Sequence, residues 1–142
     1  MAPPAMPPEA QTQTADGAMA FARYYFAVVD YAYASGDTAP LAAISDPDCR
    51  SCAGIKRMID EVVSSSGTFQ RGPIAISEIS EAGIQPEGWA ELMVTYSTPR
   101  FRRMDDSGAV TLEFPPEVDQ RFLMIIVPAS IGWQMRSLHE TA

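Results

Sequence analysis

Residues 16–35, DGAMAFARYYFAVVDYAYAS, decide the fold. Asp16 stands where an N-cap is expected, and the stretch behind it has no proline and repeats Phe21, Tyr25, Val28 and Ala32 at helical spacing. Its other flank adds Tyr24, Phe26, Val29, Tyr31 and Tyr33, so the apolar stripe is wider than a surface helix needs. A helix of that kind must be covered over most of its circumference, and it therefore lies in a groove made by the rest of the chain.

Downstream, Gly36 supplies the left-handed position that ends helices, and Thr38 with Pro40 opens a short second helix through Leu41, Ala43 and Ile44. Asp46-Pro47 reads as a third helix start, followed by a stripe of Ile55, Met58, Ile59, Val62 and Val63 that runs out in Ser64-Ser65-Ser66-Gly67. Beyond Gly72-Pro73 the apolar period falls from helical to two. Ile74 and Ile76, then Leu92, Val94 and Tyr96, alternate with polar or smaller neighbours. Asp105-Asp106-Ser107-Gly108 is a turn joining Phe101–Arg103 to Val110, Leu112 and Phe114 in a hairpin. Phe122 to Val127 is apolar without a break, as in a central strand covered on both faces, and Ile131-Gly132 turns it into Trp133–Arg136. Helices first and antiparallel strands after make an α+β domain. A curled antiparallel sheet wrapped on the N-terminal helices forms a cone.

Upstream, residues 1–15 carry Pro3, Pro4, Pro7 and Pro8 among Ala, Gln and Thr, with Met6 the only bulky side chain after Met1. Such a stretch buries too little to offset its ordering entropy and reads as a disordered Pro/Ala-rich tether, leaving residues 16–142 as one domain. A chain of 142 residues suits one core and not two. Its 18 acidic side chains against 10 basic ones, with Lys56 the only lysine, exclude a general nucleic-acid surface, which needs clustered positive charge. No apolar run approaches the roughly 20 residues of a bilayer span, and the first residues lack the basic and apolar regions of a signal peptide.

Three segments carry a resemblance: Ala18–Phe26, Asp30–Thr38 with Leu41, and Ser45-Asp46-Pro47-Asp48-Cys49-Arg50-Ser51-Cys52. Over about residues 16 to 70 the chain resembles an actinobacterial family of small lipoproteins of unknown function, proteins similar to the NTF2-like (SnoaL, ketosteroid-isomerase-like) cone. The resemblance implies an extracytoplasmic domain, lipid-anchored to the cell membrane through an N-terminal cysteine upstream of the tether. It implies no activity.

Cys49 and Cys52, the only cysteines, admit two readings. An oxidised pair would clip the connection between helices two and three, with local rigidity as its main effect. A reactive pair would exploit the helix dipole to lower a thiol pKa. Redox motifs of this spacing sit between a strand and a helix, whereas this pair sits between two helices, and the implied compartment is oxidising, which favours the clip. Zinc is discounted because His139 is the single histidine and lies far away, so no metal site and no cofactor are expected.

Tyr25, Asp30 and Tyr33 are the candidate pocket residues: tyrosines on helix one pack the core or turn hydroxyls into the wide end of the cone, and a carboxylate among aromatics has a raised pKa suited to proton transfer. Asp30 is nevertheless expected to be half exposed. Arg100, Arg102 and Arg103, the one basic cluster, read as a solvated strand edge or as a surface for an acidic partner or lipid headgroup. His139 reads as a surface residue. The expected function is a binding module for an apolar small molecule or an envelope protein, with a homodimer as a further possibility and contact with the membrane only through the anchor. The alternative is a small isomerase, hydratase or cyclase that uses the cone pocket.

Overall fold

The computed structural model describes residues 1–141. Helices α1 (Ala15–Ser35), α2 (Ala39–Ala43) and α3 (Arg50–Ser64) precede strands β1 (Thr68–Arg71), β2 (Ala75–Ile79), β3 (Gly83–Ile84), β4 (Ala90–Thr98), β5 (Phe101–Met104), β6 (Val110–Phe114), β7 (Glu117–Pro128) and β8 (Trp133–Glu140). The main sheet runs β2-β4-β7-β8, with β3 also paired to β4, and a smaller sheet runs β1-β5-β6. Within both sheets the named strands pair antiparallel.

Helix α1 lies across the concave face of the main sheet, as its wide apolar stripe demands. Phe21, Ala22, Tyr25, Val28 and Ala32 are fully buried in one core with Leu92, Val94, Met124, Ile126, Trp133 and Met135. Each large apolar side chain removed from water contributes on the order of 2 kcal/mol, so this layer is the main source of stability. The helix cap sits two residues upstream of Asp16: Thr14 Oγ1 accepts from the Gly17 N–H at 3.0 Å, and Asp16 falls in the first turn, where its charge still meets the helix dipole. Gly36, at φ 78°, ends the helix as expected.

The third helix also starts later than Asp46-Pro47 suggests. Its N-cap is Cys49, whose Sγ accepts from the Cys52 N–H at 3.2 Å, while Asp46 closes a turn by accepting from the Asp48 N–H at 2.9 Å. Ile59 and Val62 face the core, but Val63, counted in the apolar stripe, is 49% exposed. Strand β7 is central, yet only one of its faces is sealed. Met124 and Ile126 are buried, while Leu123, Ile125 and Val127 on the convex side are only half covered, because the helices occupy the concave side alone.

The two sheets are one long hairpin folded over. β4 pairs with β7 as far as Thr98↔Glu117, and β5 pairs with β6 from Phe101↔Phe114. Between those pairs lie Pro99-Arg100 on one side and Pro115-Pro116 on the other. Proline has no amide hydrogen to give a ladder, so pairing stops and the β5–β6 flap bends across the open end of the cone.

The N-terminal segment departs from the tether reading. Pro8–Gln11 form a 3-10 turn, Ala10 is fully buried, Trp133 Nε1 donates to the Thr12 carbonyl at 3.0 Å, and Gln13 Nε2 donates to the Ala129 and Gly132 carbonyls at 2.9 and 3.0 Å. Gly132 permits this docking. Its φ is 67°, and a Cβ there would stand 2.6 Å from the Ala10 carbonyl oxygen. Composition missed the contact because it is made by one alanine, the lone Met6, the Gln13 amide and a backbone carbonyl, which form no patterned apolar run. Residues 1–7 have neither helix nor strand.

Candidate functional site

Under the β5–β6 flap, between α1 and the concave sheet, lies a cavity of about 240 Å³. Its walls include Phe26, Tyr33, Arg71, Tyr96 and Phe101, and Glu117 and Pro115 stand in the lining where the two sheets meet. The rings pack against one another: Phe26 on Tyr96 at 5.0 Å, Tyr33 edge-on to Phe69 and Phe101 at 5.2 and 5.8 Å, and Phe101 stacked on Phe114 at 4.3 Å. A contiguous aromatic wall holds a ligand by apolar area and ring stacking, with little rotamer entropy to lose.

Arg71 is the one cation in this lining. β1 carries it into the site because Phe69 and Arg71, two apart on a strand, share a face, and the register sets Arg71 opposite Phe101. Its guanidinium lies 4.4 Å above the centre of the Tyr33 ring. Asp30 accepts from Arg71 Nη1 at 2.9 Å and from the Ile74 N–H at 3.2 Å. The Arg71 side chain is 5% exposed and that of Asp30 26%, so this is a largely dehydrated ion pair. Burial pushes the Asp30 carboxyl above its ordinary value, against the pull of the Ile74 N–H and the Arg71 charge.

The phenols are held protonated. Burial, with the neighbouring Tyr96 and Tyr33, drives Tyr25 far above its ordinary value. Tyr96 is pushed up to about 12, mainly by burial and then by Glu117, and Tyr33 is raised by burial against the opposing Arg71. At neutral pH all three are hydrogen-bond donors. Tyr25 donates to Cys52 Sγ at 3.4 Å, whereas the Tyr33 and Tyr96 hydroxyls have no protein partner among the described residues.

Of the three pocket residues named from the sequence, Tyr25 and Tyr33 thus come together in the lining, but Asp30 does not. It is half-buried as expected, and it sits behind Arg71 and pins it. Arg71 and Tyr96 went unnoticed as site residues. The available signal for Arg71 was a lone arginine two residues after Phe69 in a short strand, and Tyr96 was read only as a core position in an alternating strand.

Cys49 and Cys52 are joined in a disulfide, with Cα atoms 5.3 Å apart and both residues buried. Through Tyr25 this clip touches the cavity wall. Arg100 and Arg102 converge on Glu113 Oε1 at 3.4 and 3.3 Å. They do not guard an edge, because β5 is the middle strand of its sheet and β1 and β6 are the edges. Arg103 alternates to the other face, opposite Leu112. His139 is exposed on β8, opposite Leu123.

Residues 2–114 match the model of a family of unknown function (DUF6318). The chain belongs to that family. No curated protein matches it. Among solved structures, this DUF6318 chain is similar to the intermembrane space region of the chloroplast protein ARC6, at 11% identity and TM-score 0.60, covering 91% of this chain and 97% of that one. It is also similar to Aln2 from a Streptomyces species, at 13% identity and TM-score 0.54, covering 87% and 89%. Identities this low speak to the fold alone, and the DUF6318 fold is α+β with N-terminal helices packed on a curled antiparallel sheet, an NTF2-like cone.

Proposed function

We infer that this domain is a binding module whose cone cavity takes a small, largely apolar molecule, rather than an enzyme. One observation carries the inference: the only carboxylate on α1 near the cavity, Asp30, is outside its lining and is committed to Arg71 and the Ile74 N–H. A general base must reach the proton it abstracts, and a carboxylate turned away and neutralised by a guanidinium is poorly placed to do so. The three phenols are too weakly acidic in their buried positions to ionise and serve as bases near neutrality. The lining that remains is suited to holding a molecule: rings around it, a few donors, and one carboxylate, Glu117, exposed where the two sheets meet.

The domain acts outside the cytoplasmic membrane, held to it by a lipid anchor upstream of residue 1. Supporting this is the disulfide, which persists in oxidising compartments. No helix among the described residues is long and apolar enough to cross a membrane.

The test is native mass spectrometry of the protein taken from its own cell envelope, alongside a variant that fills the cavity, Thr98→Trp. Retained non-covalent mass in the wild type and its absence from the variant is the expected result. A variant that keeps the mass places the ligand elsewhere and refutes the reading. So does a wild type that is always empty and turns over a substrate in an Asp30-dependent way.

A further inference from the structure

Resting on the reading of the cone cavity as a binding site, we propose that its ligand is a compact ring-bearing carboxylic acid whose carboxylate is taken by the free edge of the Arg71 guanidinium. Asp30 engages Arg71 through Nη1 only. Nε and Nη2, the pair that makes two parallel hydrogen bonds to a carboxylate, have no protein partner among the described residues. Neither is among the buried side-chain polar atoms that lack a partner in the described residues, so these two Arg71 nitrogens keep contact with open space, and the cavity is a space that Arg71 lines. A side chain only 5% exposed, held in plane by Asp30 and by the Tyr33 ring, presents that edge at little further entropic cost.

The remaining polar groups agree. Among the other lining groups without a side-chain partner in the described residues, the Tyr33 and Tyr96 phenols donate, the Thr98 hydroxyl can donate or accept, and the Glu117 carboxylate only accepts. Arg71 and the two phenols fit a group with only acceptors, and a carboxylate offers about four lone-pair sites where a ketone offers two. Glu117 is exposed in the lining near Phe114 and Pro115, so it would repel an acid group there and favour entry with the acid toward Arg71 and the ring trailing. Size sets the other bound. A cavity of about 240 Å³ holds the equivalent of about eight waters at ~30 Å³ each, which is room for one or two rings and not for a long lipid chain.

The experiment is a titration of the full chain with benzoate, trans-cinnamate and 2-naphthoate, each beside its uncharged primary amide. It is read by NMR of labelled Tyr and Phe rings and of the Arg71 Nε–H. The acids are expected to shift Tyr33, Tyr96, Phe101 and the Arg71 signal, and at least one of them to bind about tenfold more tightly than its amide. Because removing Arg71 alone leaves Asp30 buried and unpaired, the variant is Arg71→Gln with Asp30→Asn, which should erase the preference for acid over amide. Tyr96→Phe should weaken the acid with the fold kept. Equal affinities of acid and amide overturn the carboxylate assignment while leaving the cavity as a binding site, as does a preference that survives the double variant. Absence of ring shifts with all six compounds overturns the assignment and the binding reading together.

Discussion

Opening the Cys49–Cys52 disulfide should cost about 2 kcal/mol and no more. The bridge spans a sequence separation of 3, so it closes a ring of four residues counting both ends. The chain-entropy relation for a cross-link, −2.1 − 1.5R ln n in cal/mol/K, gives about −6 for n of 4, or about 1.9 kcal/mol at 25 °C. Little else changes on reduction. A thiol at Cys49 still accepts from the Cys52 N–H that it caps, and the Cys52 sulfur still accepts from the Tyr25 hydroxyl. Each kcal/mol lowers the Tm of a domain this size by about 3 °C, so the fully reduced protein should melt about 6 °C below the oxidised one. The assay is scanning calorimetry with and without a phosphine reductant, with the mass gain of two hydrogens checked on the same sample. Cys49→Ser with Cys52→Ser serves as a control that must not respond to reductant. A reduced protein melting within about 1 °C of the oxidised one would refute the reasoning, because it would mean that closing so small a ring removes little freedom from the unfolded chain. A fall beyond about 15 °C would refute it the other way, by showing that the bridge holds more of the native packing than its own ring.

Asp30→Ala should destabilise by about 3 kcal/mol in urea, because it strands the buried Arg71 charge, and Asp30→Asn should cost clearly less by keeping an acceptor for Arg71 and the Ile74 N–H. Trp133→Phe removes the bond to the Thr12 carbonyl, and the expected loss is about 1 kcal/mol together with faster amide exchange at Ala10; unchanged exchange would mean that the docked segment does not depend on the indole. The Asp48 N–H and then Arg136 hold the Asp46 carboxyl below its ordinary value, so its contribution is present above the unfolded value near 4 and disappears as pH falls through the folded one. Asp46→Asn should therefore flatten the acid limb of a stability–pH curve below about pH 4 and leave neutral pH little changed apart from the lost ion pair. Tyr25 and Tyr96 run the opposite way on the alkaline side: their raised values stabilise the fold below about pH 10, and that contribution drains away as pH climbs toward 12. Phenolate absorbance should consequently rise together with unfolding rather than ahead of it.

Much of the architecture was legible because α1 states its own surroundings. Ala, Phe, Tyr and Val on nearly every side of residues 18–33 require a concave partner, and the period change after Gly72-Pro73 says that the partner is sheet. The prolines at 99, 115 and 116 were visible too, yet the bend they impose depends on their standing opposite one another across a hairpin, which only the register reveals. Two helix starts drifted, by two and three residues, because several capping side chains lie close together, and the backbone chose Thr14 over Asp16 and Cys49 over Asp46. The surroundings of the cavity were legible only in part. Aromatics on α1 predicted an aromatic wall, but the role of Asp30 turned on a residue 41 positions away, Arg71, that carries no local pattern. Long-range ion pairs in small domains are set by how strands curl, and nothing near either residue announces the other.

The proline joint has one more consequence. Three of its four residues have φ fixed near −65° by their own rings, so the tilt of the β5–β6 flap is set by covalent geometry. The mouth of the cavity is therefore shaped before anything enters it. An arriving molecule need not order a loop, and more of its contact energy is available as affinity.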